Sequence, residues 1–285
     1  MDLVVPAPLA PSDTIRVVAP SRSLALISEP VRRAATDRLT GLGLRVTFGE
    51  HVLESGAFVS ASVASRVADL HAAFADPEVR GILTVIGGYN SNELLPHLDW
   101  ELIRANPKVF CGYSDISALQ NAMLARAGLV TWSGPHYSSF GMRDHFELTR
   151  KWFHNAVFGD APLVLQPAPQ WTDDAWFLDQ DRREVLPNDG WWRLRPGTGA
   201  GQLIGGNLTT VNRLPGTGFM PVPDRPVVLF VEDDEESAPH TFAPDLASLL
   251  QCIGAANVAA LVFGRFQRAT GMTRDLLQQI LDRQP

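Results

Sequence analysis

The sequence predicts an α/β fold, with an N-terminal parallel-sheet domain and a smaller C-terminal α+β domain. Three observations carry this. Short β-branched runs alternate with stripes of helical period through the first half, which is how a parallel sheet covered by helices reads. From about Pro162 to Thr198 the texture changes to Pro, Asp and Trp with little periodicity. Beyond it, strand runs return around a single strong helical stripe.

Thr14 to Ala19 is the first predicted strand, closed by Pro20 and Ser21, and Val31, Ala35, Leu39 and Leu42 follow at helical spacing. Leu44 to Phe48 returns as strand. Val63, Val67, Leu70 and Phe74 mark a second helix, and Gly81 to Ile86 reads as a buried strand broken by Gly87-Gly88. Val109 to Tyr113 is the next strand, and Ile116, Leu119, Met123 and Leu124 begin a helix directly after it. In the C-terminal part, Gln202 to Ile204, Val227 to Val231 and Val258 to Phe263 are strands, and Leu246, Leu249, Leu250 and Ile253 lie on one helix face. The expected division is residues 1–165, an α/β domain; 166–198, a Trp-rich connector or substrate loop; and 199–285, the C-terminal domain.

Composition narrows the function. Hydrophobic residues at 45% and charged residues at 19% describe a packed globular chain, not a disordered one. A net charge of −7 without a basic cluster argues against nucleic acid and anionic membranes as partners. No apolar run reaches spanning length and the N-terminus lacks the basic start of a secretory signal, so a cytoplasmic protein is expected. Cys111 and Cys252 provide neither a disulfide framework nor a metal spacing and read as structural thiols.

Ser114, in Cys111-Gly112-Tyr113-Ser114-Asp115, stands where a strand turns into a helix, a geometry that exposes a nucleophilic hydroxyl. The plain alternative is a helix N-cap. Ile86-Gly87-Gly88-Tyr89-Asn90-Ser91-Asn92 follows another strand. Its glycines suit amides aimed at an oxyanion, or else a tight turn needing positive φ. Carboxyl ends of parallel strands gather at one edge, so this loop and Ser114 are expected together. Glu232 ends a buried strand, where a carboxylate can orient an imidazole; Asp233 to Glu236 after it read as a solvated loop. Those acids make a divalent-cation site a minor alternative only. Asn207, in a second Gly-Gly loop, is a candidate substrate hydrogen-bonder beside the alternative of a structural turn. Trp171, Trp176, Trp191 and Trp192 are candidates for stacking on a flat substrate group, or equally for buried anchors.

Taken together, IGGYNSN, CGYSD with a following Gly134-Pro135, LIGGNL and LFVED resemble the LD-carboxypeptidase family of serine peptidases, in order along most of the chain. GGYNSN and WTDDAWFLDQ…NDGWW are similar to the branch that includes the microcin C immunity peptidase, and Ile86 stands where murein-recycling members commonly carry arginine. The resemblance implies a flavodoxin- or glutaminase-like first domain and a Ser-His-Glu triad without metal or cofactor. It makes Ser114 the nucleophile, Glu232 the orienting acid, and the amides of Gly88 and Asp115 the oxyanion hole. Asn90 and Asn207 would contact substrate, and Trp171 or Trp176 would grip a nucleobase. The implied substrate is a small peptide, either a peptidyl-nucleotide or a murein tetrapeptide with an L,D bond. Dimers are common in the family, so the resemblance allows a homodimer.

The family's catalytic histidine sits in a motif resembling F-G-H-T or C-C-H-T, after a helix that here corresponds to Leu276 to Leu281. The sequence stops at Pro285 without it. Three expectations stand side by side: a C-terminally shortened, impaired member; an active enzyme whose base is His136 or comes from a partner chain; and a module that binds such conjugates without turnover. His136 and His240 are the two histidines expected near the cleft.

Overall fold

The computed structural model describes residues 2–159 and 161–284. They form two compact units. The first comprises residues 1–165 and 175–183, and the second residues 166–174 and 184–285. The Trp-rich stretch is therefore shared between the units, and the chain passes from one to the other three times.

The first unit contains β1 (Thr14–Val18), α1 (Glu29–Gly41), β2 (Arg45–Phe48), α2 (Val63–Ala75), β3 (Val79–Thr84), α3 (Trp100–Ala105), β4 (Val109–Gly112), α4 (Ser117–Ala127), β5 (Trp132–Ser133) and α5 (Glu147–Phe158). The five strands form one parallel sheet in the order β2-β1-β3-β4-β5. This is a flavodoxin-like doubly wound order, in which ligand-binding loops collect at the strands' carboxyl ends. The central strands are buried on both faces, every residue of β4 included, as the unbroken apolar runs require.

Local chemistry sets the element ends. Ser62 caps α2 by accepting the Ser65 amide at 3.0 Å, and Leu70, Ala73 and Phe74 form its buried stripe. Gly128, at φ +68°, closes α4 in the left-handed conformation with its amide on the Leu124 carbonyl. α4 is buried almost all round, and the polar members of that surface are satisfied: Gln120 Nε2 donates to the carbonyls of Gly112 (3.1 Å) and Trp132 (2.7 Å). β3 begins two residues before the predicted strand and ends two before Ile86, because its first pairing is Val79 with Thr14. α3 and α5 have no counterpart in the sequence reading, and β5 is only two residues long.

The second unit contains β6 (Gln170–Trp171), β7 (Leu186–Pro187), β8 (Gln202–Asn207), α6 (Leu208–Val211), β9 (Val227–Glu232), α7 (Pro239–Ile253), β10 (Val258–Phe263) and α8 (Arg274–Asp282). β10-β9-β8 is a parallel sheet, and β6-β7 is a separate antiparallel pair. Val227, Leu229 and Val231 of β9 are buried, as are Phe242, Leu246, Leu249 and Leu250 of α7. β8 can lie this close to β9 only because position 205 is glycine. A Cβ there would sit 1.7 Å from the Phe230 carbonyl oxygen, and φ is +146°. Among the described residues no helix is long and apolar enough to cross a membrane.

Candidate active site

β4 stops at Gly112 because the chain turns sharply at the next two residues. Tyr113 is extended, and Ser114 has φ +61°, one of four non-glycine residues described with positive φ. A side chain in that region costs roughly 1–2 kcal/mol. A short 3₁₀ turn, Ser114–Ile116, then leads into α4. The N-cap alternative fails: the cap residues are Tyr113 and Ile116, and neither cap involves a side-chain hydrogen bond. Strain without a capping return, at a strand-to-helix turn, fits a half-buried serine held for its hydroxyl.

The loops after β1 and β3 converge on this turn. The buried Asp115 carboxylate accepts Ser21 Oγ at 2.7 Å and the Ser91 amide at 2.9 Å, while Ser91 Oγ donates to the Asp115 carbonyl at 2.6 Å. Arg66, 3% exposed, donates to the Pro20 carbonyl (3.1 Å), the Asn90 carbonyl (3.0 Å) and Glu93 (2.7 Å). Asn90 Oδ1 accepts from Ser60 Oγ at 3.2 Å. Neither Gly87 nor Gly88 has positive φ, so the turn alternative is corrected to close approach. A Cβ on Gly87 would lie 3.0 Å from Ser114 Oγ, and one on Gly88 would lie 2.2 Å from Ser21 Oγ. Nothing in the sequence reading pointed to Ser21, Arg66 or the Asp115 carboxylate; Ser21 and Asp115 had position alone as a signal, just past a predicted strand, and Arg66 stands in the first turn of α2.

His136 belongs to this cluster. The ring of His136 is 2% exposed, stacks on Tyr113 at 4.2 Å, and shares a 2.8 Å hydrogen bond between Nδ1 and Thr84 Oγ1. Its Nε2 is buried, has no hydrogen-bond partner, and lies 3.6 Å from where a Gly87 Cβ would be. Burial, and then the Arg22 charge, push its pKa down to about 3, so the ring is neutral at pH 7. His240 is exposed in the first turn of α7, in the other unit.

In the second unit Glu232 ends β9, in register with Asn207 at the end of β8. Burial first, and then Asp233 and Asp234, raise its pKa to about 7. Its Oε1 is buried without a hydrogen-bond partner. The solvated-loop reading holds for Asp234, Glu235 and Glu236 but is corrected for Asp233, which is 5% exposed. Asp233 accepts Asn207 Nδ2 (3.1 Å), Thr209 Oγ1 (3.0 Å) and the Asp234 amide (3.1 Å). Asn207 Oδ1 in turn caps α6 through the Thr210 amide at 3.0 Å, so both ends of its amide brace the Glu232 strand end.

The tryptophans separate. Trp171 lies in the second unit with the Arg265 guanidinium 4.5 Å over its ring, and Trp176 lies in the first, edge-on to Phe177. Trp192 Nε1 donates to Asp189 at 2.6 Å. Among the described residues no group of three His, Cys, Asp or Glu side chains is placed to hold a metal ion.

The family model described as the LD-carboxypeptidase N-terminal domain matches residues 15–134, and that for the LD-carboxypeptidase C-terminal domain matches residues 200–285. A putative carboxypeptidase, YocD, of Bacillus subtilis (strain 168) is 44% identical over 274 residues, which is 96% of this chain and 84% of that protein. The crystal structure of an MccF-like protein from Bacillus anthracis str. Ames superposes with a TM-score of 0.95 at 44% identity, over 98% of this chain and 85% of the other. The structure of MccF in complex with glutamyl sulfamoyl guanosine gives a TM-score of 0.86 at 27% identity, over 98% and 87%.

Proposed function

Because the chain belongs to the LD-carboxypeptidase family, matched in both its N-terminal and C-terminal domains, we propose that it is a serine hydrolase whose nucleophile is Ser114. The observation that carries this is the strained Ser114 turn, with Gly87 kept bare against the hydroxyl. Ser114 Oγ attacks the amide carbonyl of a small peptide conjugate, and the tetrahedral oxyanion is held by the backbone amides of Gly88 and Asp115. Collapse breaks the C–N bond, the amine leaving with the proton given up by the Ser114 hydroxyl, and water then hydrolyses the acyl-serine and returns a proton to the serine oxygen. The loop bearing Gly88 and the turn bearing Asp115 are tied to each other through Ser91 and Asp115, so the two donors are preorganised.

Glu232 is the orienting acid. A buried carboxylate whose Oε1 lacks a donor, with its pKa raised to about 7, is the environment of an acceptor awaiting an imidazole N–H. His136 is a poor general base. An imidazolium there would be buried beside Arg22, with its Nδ1 on a threonine hydroxyl instead of a carboxylate.

The preferred substrate class is a peptidyl- or aminoacyl-nucleotide, supported by the likeness to MccF, one of whose structures holds glutamyl sulfamoyl guanosine. A murein tetrapeptide is the alternative within the same chemistry. Mass-spectrometric assay of both substrates tests the proposal. Release of the amine product that disappears in Ser114→Ala supports it, and hydrolysis that survives the substitution overturns it.

A further inference from the structure

Arg22 is left over by this reading. It follows β1 at the same sheet edge, and its backbone amide and Nε both donate to the Gly87 carbonyl, at 3.4 and 3.3 Å. Its stem crosses Gly88 so closely that a Cβ there would lie 3.0 Å from Arg22 Cγ, and its guanidinium lies 5.2 Å from the centre of the Tyr89 ring. Arg22 is thus fixed against the two glycines that flank Ser114 and the proposed oxyanion amides. Several arginines of the same unit, such as Arg16, Arg66 and Arg150, face a carboxylate, and others, such as Arg38, are taken up by backbone carbonyls. Among the described residues Arg22 faces no carboxylate, and its charge acts instead on the buried His136 ring.

We infer that Arg22 binds an anionic oxygen group that the substrate carries beside the scissile amide. The inference rests on Ser114 being the nucleophile. Guanidinium offers two terminal nitrogens in a fork that matches a carboxylate or a phosphoryl group. A chain of net charge −7 repels such a group unless a fixed cation is built next to the reacting serine. Two sources share this chemistry: the free C-terminal carboxylate of a peptide, and the phosphoryl group of a nucleotide conjugate.

The test is calorimetric titration of the Ser114→Ala protein, which binds without turnover, with two ligand pairs. One pair is a murein tetrapeptide and its C-terminal amide; the other is adenosine monophosphate and adenosine. One anionic member is expected to bind about ten- to a hundredfold more tightly than its neutral partner, the range of a charge-assisted hydrogen bond. The pair that shows the difference names the source. Arg22→Gln should erase the difference between the members of the pair while the protein still folds and binds the neutral ligand, and Arg22→Lys should restore part of it. A difference that persists in Arg22→Gln, or none in either pair, overturns the inference. Turnover that survives Ser114→Ala would instead strike at the nucleophile, so the two failures are told apart.

Discussion

Replacing Glu232 by Gln should raise stability at neutral and alkaline pH relative to its effect in acid. The folded carboxyl group titrates at about 7 against an ordinary value of 4.5. Between those values the folded state holds a proton that the unfolded chain has released, so wild-type stability falls as pH rises from 4.5 to 7. A gap of that size is worth on the order of 3 kcal/mol. Gln keeps the shape without the charge but places an NH₂ near Asn207, and an unsatisfied amide costs about 1–3 kcal/mol. The net gain at pH 8 is therefore about 0–2 kcal/mol, up to several degrees in melting temperature, while the difference between pH 4 and pH 8 keeps the full size of the gap. Thermal melts of both proteins from pH 4 to 8 read it directly. Asp245, His51 and His136 titrate alike in both, so the difference reports Glu232 together with its charge coupling to Asp234. Parallel curves with no pH-dependent gap would refute the picture of a carboxylate whose burial outweighs its hydrogen bond with Asn207.

Ser114→Gly should relieve the φ +61° strain and raise stability by up to about 1 kcal/mol while abolishing hydrolysis; a destabilised variant in chemical denaturation would contradict the strain. His136 is neutral in the fold with its pKa pushed to about 3, so the unfolded chain binds the extra proton and stability is lost as pH falls below 6.5. His136→Asn should flatten that acid limb in pH-dependent melts. Gly205→Ala should cost upwards of about 3 kcal/mol, since the new methyl would meet the Phe230 backbone and no side chain can yield; a soluble variant with an unchanged melt would be the contrary result.

Most of the sheet was legible because its strands are continuous apolar runs ending in turn residues. The central β4 lies wholly inside, so its sequence has no polar face to confuse the pattern. Ser114 was legible as a junction. Its positive φ was not, since it is set by tertiary surroundings such as the close approach of Gly87, which come from a distant part of the chain. α3 escaped because it spans only 6 residues, and α5 because only Phe153 and Val157 of its residues are buried. Asp233 was misread because an acidic run looks solvated. Its burial depends on Asn207 and Thr209, which lie more than 20 residues away and reach it through the β8–β9 register. The Trp-rich stretch looked like one connector because composition does not say which unit each piece packs on. Arg268 pairs with Asp173, Asp174 and Glu184, which fixes both outer pieces to the second unit.

The identity of the nucleophile is tested most directly by whole-protein and peptide mass spectrometry after exposure to an alkyl fluorophosphonate, which forms a covalent adduct with activated serine hydroxyls. The account predicts a single adduct, on the peptide containing Ser114, that is absent from Ser114→Ala. An adduct on another serine, or equal labelling of the Ser114→Ala protein, would contradict it.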